Sequence, residues 1–217
     1  MSKKFAIIGG DLRLTKLAQI LAKEEKQIYI FGMEKEQELE DVPNIKISKN
    51  LEQALENVDI VISAIPFSRD GVLVNTPLSE NTIKINDLMN LIKNKTLIAG
   101  TISNEIYKKY KDVKIIDIMK NQKLAILNTI ATAEGTIKEI IANTQINIHG
   151  SKIMILGFGR VGKTLAKKLD GLSAKITIVS KEYEELAWAE AYGYQNIQLN
   201  KIQNSIKNYD IIVNTIP

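Results

Sequence analysis

The stretch that decides the fold runs Lys152-Ile-Met-Ile-Leu156, then Gly157-Phe-Gly159-Arg-Val-Gly162 and, after a lysine-rich segment, Ala174-Lys-Ile-Thr-Ile-Val179-Ser-Lys181. The two apolar runs predict buried strands, and the period of the segment between them predicts a helix. A G-x-G-x-x-G motif that follows a strand and opens a helix is typical of dinucleotide-binding units. The stretch therefore predicts a Rossmann-like α/β domain.

Each glycine of this motif has a physical reason. Gly157 permits the tight turn after the strand, Gly159 lets the backbone approach a pyrophosphate, and Gly162 lets the helix pack closely against the sheet. The pyrophosphate would lie on the free N–H groups at the helix N-terminus. The residues predicted to bind the cofactor are Gly157, Phe158, Gly159, Arg160, Val161, Gly162, Ser180, Lys181, Thr215 and Pro217.

The end of the second strand predicts which dinucleotide is bound. NAD-specific sites usually place Asp or Glu there to bind the ribose 2′-hydroxyl, whereas this chain has Ser180 and Lys181. A hydroxyl and a cation suit a 2′-phosphate, which a carboxylate would repel. The sequence therefore favours NADP over NAD.

The chain contains this unit twice. With Gly9 placed over Gly157, the first strand, helix and second strand of the two segments match without a gap, and Asn57–Pro66 likewise matches Asn208–Pro217. Strands alternate with helices throughout, which predicts doubly wound parallel sheets. We predict a Rossmann-like substrate domain over residues 1–123, an interdomain helix and linker over 124–146, and an incomplete nucleotide-binding domain over 147–217.

The two copies differ at the glycine motif. In the first copy, Asp11 and Leu14 replace the second and third glycines, so a carboxylate faces the turn and would repel a pyrophosphate. The only arginines are Arg13, Arg69 and Arg160, and each follows a predicted strand. Ligands of open α/β sheets bind at that edge, and arginine binds carboxylates in two-point fashion. We therefore predict that the first domain holds an anionic substrate.

A long helix is predicted from Leu124 to Asn143 by its period of 3.6 residues. Gly135 interrupts it and predicts a close approach by another segment or a ligand. His149, the only histidine, precedes a strand and so lies at the wrong edge of the sheet for catalysis. The predicted apolar stripe comprises Leu127, Ile130, Ala131, Ile137, Ile140 and Ile141, and the polar cluster comprises Asn128, Thr129, Thr132, Glu134 and Thr136.

Composition excludes several classes of function. The chain has 217 residues, 45% of them hydrophobic and 25% charged, as in soluble globular proteins. The absence of cysteine excludes disulfides, thiolate catalysis and cysteine-based zinc sites. A dispersed net charge of +4 does not indicate binding to nucleic acid or to a membrane surface. Neither a spanning segment nor a signal peptide is visible, so we expect a cytoplasmic protein.

Three motifs, Gly9-Gly-Asp-Leu-Arg13, Asn128-Thr-Ile-Ala-Thr-Ala-Glu-Gly135 and Ile155-Leu-Gly-Phe-Gly-Arg-Val-Gly162, occur in this order and spacing. Together they resemble the dipicolinate synthase A-subunit family, which makes the spore-specific dicarboxylate dipicolinic acid, and the resemblance covers the whole chain. It implies oxidation of a dihydrodipicolinate, or of its hydroxylated tetrahydro precursor, by hydride transfer to NADP. It also implies a flavoprotein-like partner, which is the B subunit of dipicolinate synthase, and an oligomeric assembly.

The resemblance also implies roles for individual residues. Arg13 and Arg69 would bind the two carboxylates of the substrate, with Asp11 and Asn128 beside them. Thr132 and Glu134 would face the cleft as hydrogen-bond donor and proton acceptor. The family continues beyond Pro217, so we expect either a shortened chain or a partner that covers the edge of the second sheet.

Two other functions remain open. The first is a dehydrogenase of the alanine or 2-hydroxyacid type, which shares the two-domain plan but uses a histidine near the carboxyl end of a strand. The second is an NADPH-binding subunit without catalytic activity. Turnover of dihydrodipicolinate in the presence of the B subunit would separate this one from the enzymes.

Overall fold

The computed structural model describes residues 4–216, apart from the side chain of Asn204. The chain divides into two compact units, the first ending at Asn121 and the second beginning at Gln122. Each unit is built on a parallel sheet. The predicted α/β class with two Rossmann-like domains is therefore confirmed.

The N-terminal unit alternates strands with helices. Its strands are β1 (Phe5–Ile8), β2 (Ile28–Phe31), β3 (Ile45–Ile47), β4 (Ile60–Ser63), β5 (Thr96–Ala99) and β6 (Lys114–Asp117), and its helices are α1 (Leu12–Lys23), α2 (Leu51–Leu55), α3 (Ile85–Leu91) and α4 (Asn104–Lys109). The sheet has the order β3-β2-β1-β4-β5-β6. This order reverses between β1 and β4, where open α/β sheets bind ligands beyond the carboxyl ends of their strands.

The C-terminal unit repeats the first part of this plan. Its strands are β7 (Lys152–Leu156), β8 (Lys175–Ser180), β9 (Gln195–Gln198) and β10 (Ile211–Asn214), and its helices are α5 (Gln122–Asn143), α6 (Arg160–Gly171) and α7 (Tyr183–Ala191). The order β10-β7-β8-β9 corresponds to β4-β1-β2-β3 of the first unit. The register is also the same, since Ile8 pairs with Phe31 as Leu156 pairs with Val179. The predicted repeat is thus present in the fold.

The cores explain why the strands read as continuous apolar runs. Both faces of each sheet carry buried aliphatic side chains, such as Ile7 and Ile8 on β1 or Met154 and Ile155 on β7. Strands covered on both faces show no polar alternation. The sequence repeat predicts a helix over Ile202–Lys207 in the place of α2, and this prediction is wrong in type, because the chain there forms the 3-10 turns Leu199–Asn204 and Ile206–Asn208.

Helix α5 packs on α6 through small side chains, and the predicted apolar stripe is wrong over most of its length. The buried positions of α5 are Ala125, Thr129, Ala133 and Ile140. Larger apolar residues are exposed, including Leu127, Ile130 and Ile141 at 51%, 41% and 62% of their surface. Small side chains let the two helix axes approach, and the hydroxyls of Thr129 and Thr164 hydrogen-bond across the contact at 2.7 Å.

No described segment approaches Gly135 closely, so that half of the prediction is wrong, and the approach of a ligand stays a prediction. A Cβ at Gly135 would meet no described atom within 4 Å outside its own helix, because the buried face of α5 runs through Ala133 and Ile140. His149 lies in an exposed turn before β7, as its position in the sequence predicts. Among the residues described, no helix is both long and apolar enough to cross a membrane.

Candidate nucleotide and substrate sites

The glycine turn of the C-terminal unit has the geometry that its sequence predicts. Gly157 has a φ of +89°, and its N–H donates to the Val179 carbonyl at 2.7 Å. A Cβ at Gly162 would lie 2.3 Å from the Gly157 carbonyl oxygen, so only glycine permits this packing of helix on turn. The nearest described atom to a Cβ at Gly159 is Oε1 of Glu185, at 4.0 Å. The backbone at Gly159 is therefore open to close approach.

The N-terminus of α6 is suited to a pyrophosphate. Gly159 caps the helix through its backbone, and no side chain among residues 4–216 forms a capping hydrogen bond there. The N–H groups of the first turn, which includes Arg160 and Val161, can therefore bind an anion, and the helix dipole favours negative charge. The Arg160 guanidinium lies at the same end and donates to the side chain of Gln122 at 3.2 Å.

Thr215 and Phe158, which the sequence predicts as cofactor contacts, have side chains that contact other residues of the chain. The Thr215 hydroxyl donates to the Leu156 carbonyl at 2.7 Å, which fixes the end of β10 against the glycine turn. Phe158 is fully buried and packs edge-on against Tyr192 and Tyr194, so only its backbone can face a ligand. Pro217 lies outside the described residues.

A carboxylate that sequence reasoning missed lies at the end of β8. Oε2 of Glu185 accepts the Phe158 N–H at 2.9 Å and the Ser180 hydroxyl at 2.7 Å. Ser180 is buried, and its hydroxyl is already bonded to Glu185. The Lys181 side chain, in contrast, is 76% exposed, and its ammonium group lies 3.6 Å from the Glu182 carboxylate. The only sequence signal for Glu185 is its place in the first turn of the helix that follows β8.

The matching turn of the N-terminal unit is closed by its own side chains. The Asp11 carboxylate caps α1 by accepting the Arg13 N–H at 3.1 Å, and it also accepts from Nε and Nη2 of Arg13, at 2.9 and 2.7 Å from the nearer oxygens. Hydrogen bonds from the Arg13 side chain hold the pKa of Asp11 below its usual value, against partial burial, which raises it. The anion site of this helix is therefore filled by the chain itself.

The loop after β4 covers the same turn. The N–H of Gly10 donates to the Asn75 carbonyl at 3.0 Å, and a Cβ at Gly9 would lie 2.7 Å from the Thr76 side chain. A dinucleotide could not approach the backbone here as it can at Gly159. The loop over residues 67–81, whose length by itself predicts a functional role, thus closes this turn against such an approach.

Arg13 and Arg69 belong to the same edge of the first sheet. Nη2 of Arg13 donates to the Ile65 carbonyl at 2.5 Å, just beyond the end of β4. Arg69 lies four residues further along and is exposed. It lines, with Asp70 and Asn75, a shallow cavity of about 270 Å³. Asp11 therefore holds the guanidinium of Arg13, whereas Arg69 is exposed to solvent.

The predicted catalytic residues lie on α5. The Glu134 carboxylate is 62% exposed and accepts from Lys168 of α6 at 2.8 Å. The Thr132 hydroxyl is exposed and donates back to the Asn128 carbonyl at 3.3 Å. Glu134, Thr132 and the substrate contact Asn128 thus lie in the C-terminal unit, and the roles of all three stay predictions.

The ion pair of Asp11 and Arg13 predicts a dependence of stability on pH. A carboxyl whose folded-state pKa is lowered stabilises the fold above its unfolded value of 3.8, and this contribution is lost as the pH falls through the lower folded value. Both side chains are partly exposed, so we expect the effect to stay below about 1 kcal/mol. Urea unfolding of the wild type and of Asp11→Asn, which keeps a capping oxygen, measures it. The difference between the two should vanish in strong acid, and a constant difference would contradict the assignment.

Comparison with known proteins matches each unit to a family. Residues 4–121 match the N-terminal domain of the dipicolinate synthase A subunit. Residues 117–217 match the NAD-binding domain of D-isomer specific 2-hydroxyacid dehydrogenases. The dipicolinate synthase A subunit of Bacillus subtilis is 27% identical over 99% of this chain and 73% of its own length.

Solved structures agree with these matches. The same subunit from Bacillus halodurans superposes with a TM-score of 0.84 at 26% identity, over all of this chain and 75% of that one. The Bacillus subtilis protein gives 0.75 at 25% identity, over all of this chain and 74% of that one. A phosphoglycerate oxidoreductase from Vibrio cholerae, at 14% identity and a TM-score of 0.53 over 99% of this chain and 66% of that one, shares the fold alone. The chain therefore belongs to the dipicolinate synthase A-subunit family and is a NAD(P)-dependent oxidoreductase.

Proposed function

We propose that this chain oxidises dihydrodipicolinate, or its hydroxylated tetrahydro precursor after loss of water, to dipicolinate during sporulation. The dihydro ring loses one hydrogen as hydride to the nicotinamide and one as a proton, and the pyridine ring becomes aromatic. A bound nicotinamide dinucleotide supplies the hydride acceptor. The residues that fit it are the Gly157 turn, the uncapped N-terminus of α6 and Arg160.

The observation that carries the proposal is the contrast between two equivalent turns. The N–H after the first glycine is engaged in both turns, by Asn75 at Gly10 and by Glu185 at Phe158, but only the helix after the Gly157 turn lacks a described side-chain cap, since Asp11 caps the other. One unit can therefore hold the dinucleotide and the other is free for a different ligand. A dicarboxylate suits an edge that carries Arg13 and Arg69, because guanidinium groups bind carboxylates through paired hydrogen bonds.

The remaining roles rest on the family resemblance. We propose Glu134 as the proton acceptor, with Thr132 and Asn128 as hydrogen-bonding residues and Asp11 as the group that orients Arg13. Oε1 of Glu134 accepts from Lys168, so Oε2 is the oxygen that would take the proton. We also propose that the chain acts together with the B subunit of dipicolinate synthase.

A 2-hydroxyacid dehydrogenase is the second candidate, because the nucleotide-binding half matches that family. Those enzymes need a histidine at the carboxyl ends of the strands, and His149 lies in the turn before β7, at the opposite edge. His149 therefore does not supply that group, and turnover of the control substrates separates the two candidates.

The proposal is tested by turnover. Purified chain, the B subunit, dihydrodipicolinate and NAD or NADP should together form dipicolinate and reduced nucleotide in equal amounts, and omission of either protein should lower the rate by at least about tenfold. Lactate serves as the control substrate for the 2-hydroxyacid dehydrogenase, and alanine serves as the control for the related alanine dehydrogenase type. If nucleotide binds but no dipicolinate forms, the chain only binds NAD(P) and the proposed reaction is wrong.

A further inference from the structure

We propose that Glu185 selects NAD over NADP, by accepting a hydrogen bond from the ribose 2′-hydroxyl and repelling a 2′-phosphate. The inference rests on the proposed use of a nicotinamide cofactor and names the residue that decides its form. The sequence alone predicts the opposite preference, because Ser180 and Lys181 favour NADP. Its basis is the position of one carboxylate between the glycine turn and the second strand of the unit.

The contacts of Glu185 join the two parts of a ribose site. Through Oε2 the carboxylate accepts from the Phe158 N–H, in the glycine turn, and from the Ser180 hydroxyl, at the end of β8. Dinucleotide-binding folds place the adenosine ribose between these two features. Glu185 comes five residues after the strand end where the acid usually stands, yet its carboxylate reaches the same place.

The second carboxylate oxygen is disposed toward a ligand. Oε1 takes part in neither of these hydrogen bonds and lies 4.0 Å from the position that a Cβ at Gly159 would have. Gly159 is the residue at which the backbone admits the dinucleotide. A carboxylate oxygen is an acceptor and can bind a ribose hydroxyl, which is a donor. A 2′-phosphate is largely doubly ionised at neutral pH and offers no such donor, so the two anions would repel each other.

Lys181 cannot offset this repulsion. Its side chain is 76% exposed and its ammonium group lies 3.6 Å from the Glu182 carboxylate. Charges in full contact with water are screened and contribute little to binding. Glu185 is only partly exposed and is fixed by two hydrogen bonds, so its charge acts over a short, poorly screened distance.

The test is calorimetric titration of the full chain with NADH and with NADPH. We expect the wild type to bind NADH at least about tenfold more tightly than NADPH, and Glu185→Gln to bring the two affinities within about threefold, mainly by tighter NADPH binding. Glutamine keeps an oxygen that can accept from Phe158 and Ser180, so the local fold should persist. Thermal unfolding verifies this point.

Glu184→Gln is the matched control, because it removes the same charge from the same turn of α7 at an exposed position. It should leave the ratio of affinities unchanged. Ser180→Ala tests positioning, since it removes one of the two bonds that hold the carboxylate, and should reduce the preference for NADH only in part.

Two results would overturn the inference. If the wild type prefers NADPH and Lys181→Ala removes that preference, the sequence prediction of NADP is correct and the proposed function is untouched. If neither dinucleotide binds, the proposed function fails and the role of Glu185 fails with it.

Discussion

Replacement of Gly162 by alanine is expected to weaken dinucleotide binding strongly and to destabilise the C-terminal unit. The new Cβ would lie 2.3 Å from the Gly157 carbonyl oxygen, closer than Cβ atoms come in folded proteins. The first turn of α6 must then move away from the glycine turn, which displaces the N–H groups that receive the pyrophosphate. We expect a loss of about 1–3 kcal/mol in unfolding free energy and of at least about a hundredfold in affinity.

Gly171→Ala is the control for this change, because it adds the same methyl group to the same helix. A Cβ at Gly171 would meet no described atom within 4 Å. Alanine is the better helix former, so this variant should gain up to about 1 kcal/mol and keep its affinity. Urea unfolding and calorimetric titration with NADH measure both quantities. Equal behaviour of the two variants would show that close packing at Gly162 does not matter.

Loss of Arg13 is expected to weaken the binding of dipicolinate by about tenfold or more. Charge-assisted hydrogen bonds contribute about 1.5–3 kcal/mol, and Arg13 is held in place by Asp11 and by the Ile65 carbonyl. A positioned guanidinium loses little side-chain entropy when it binds a carboxylate. Arg69→Ala should have a smaller effect, since Arg69 is exposed and would have to be ordered by the ligand. Calorimetric titration of Arg13→Ala and Arg69→Ala with dipicolinate measures both effects.

Arg160→Ala is the matched control for these variants, because it removes the third arginine of the chain and the same charge. It should weaken nucleotide binding and leave dipicolinate binding unchanged. Arg13→Lys separates charge from shape, since lysine keeps the charge without the planar fork. If all three arginine variants weaken dipicolinate binding equally, only net charge matters and the assignment of Arg13 is wrong.

The elements of the fold were largely predictable from sequence because their causes are local. Strand β7 has the bounds Lys152–Leu156 of the apolar run that predicts it, and the Gly157 turn has the positive φ that only its glycine adopts easily. Buried strands in parallel sheets read as unbroken apolar runs, so they are visible without knowledge of their partners. The repeat was visible for the same reason, since both copies carry the same local pattern.

The packing of α5 was not predictable in the same way. Hydrophobicity favoured Leu127, Ile130 and Ile141, whereas the buried face is formed by Ala125, Thr129 and Ala133. The choice of face depends on how closely α6 can approach, and that distance is set by the shapes of both helices. Side-chain size decided between the faces, and apolar character did not.

By itself, the sequence determined the two Rossmann-like units, the glycine turn of the second, and the loss of that turn's chemistry at Asp11 in the first. Only the tertiary structure decided that the loop through Asn75 closes the Gly9 turn and that Glu185 reaches the Gly157 turn. The physical reason is the separation along the chain of the residues that interact. Turns and strands follow from the conformational limits of neighbouring residues, whereas a carboxylate or a carbonyl meets its distant hydrogen-bond donor only after the strands have aligned.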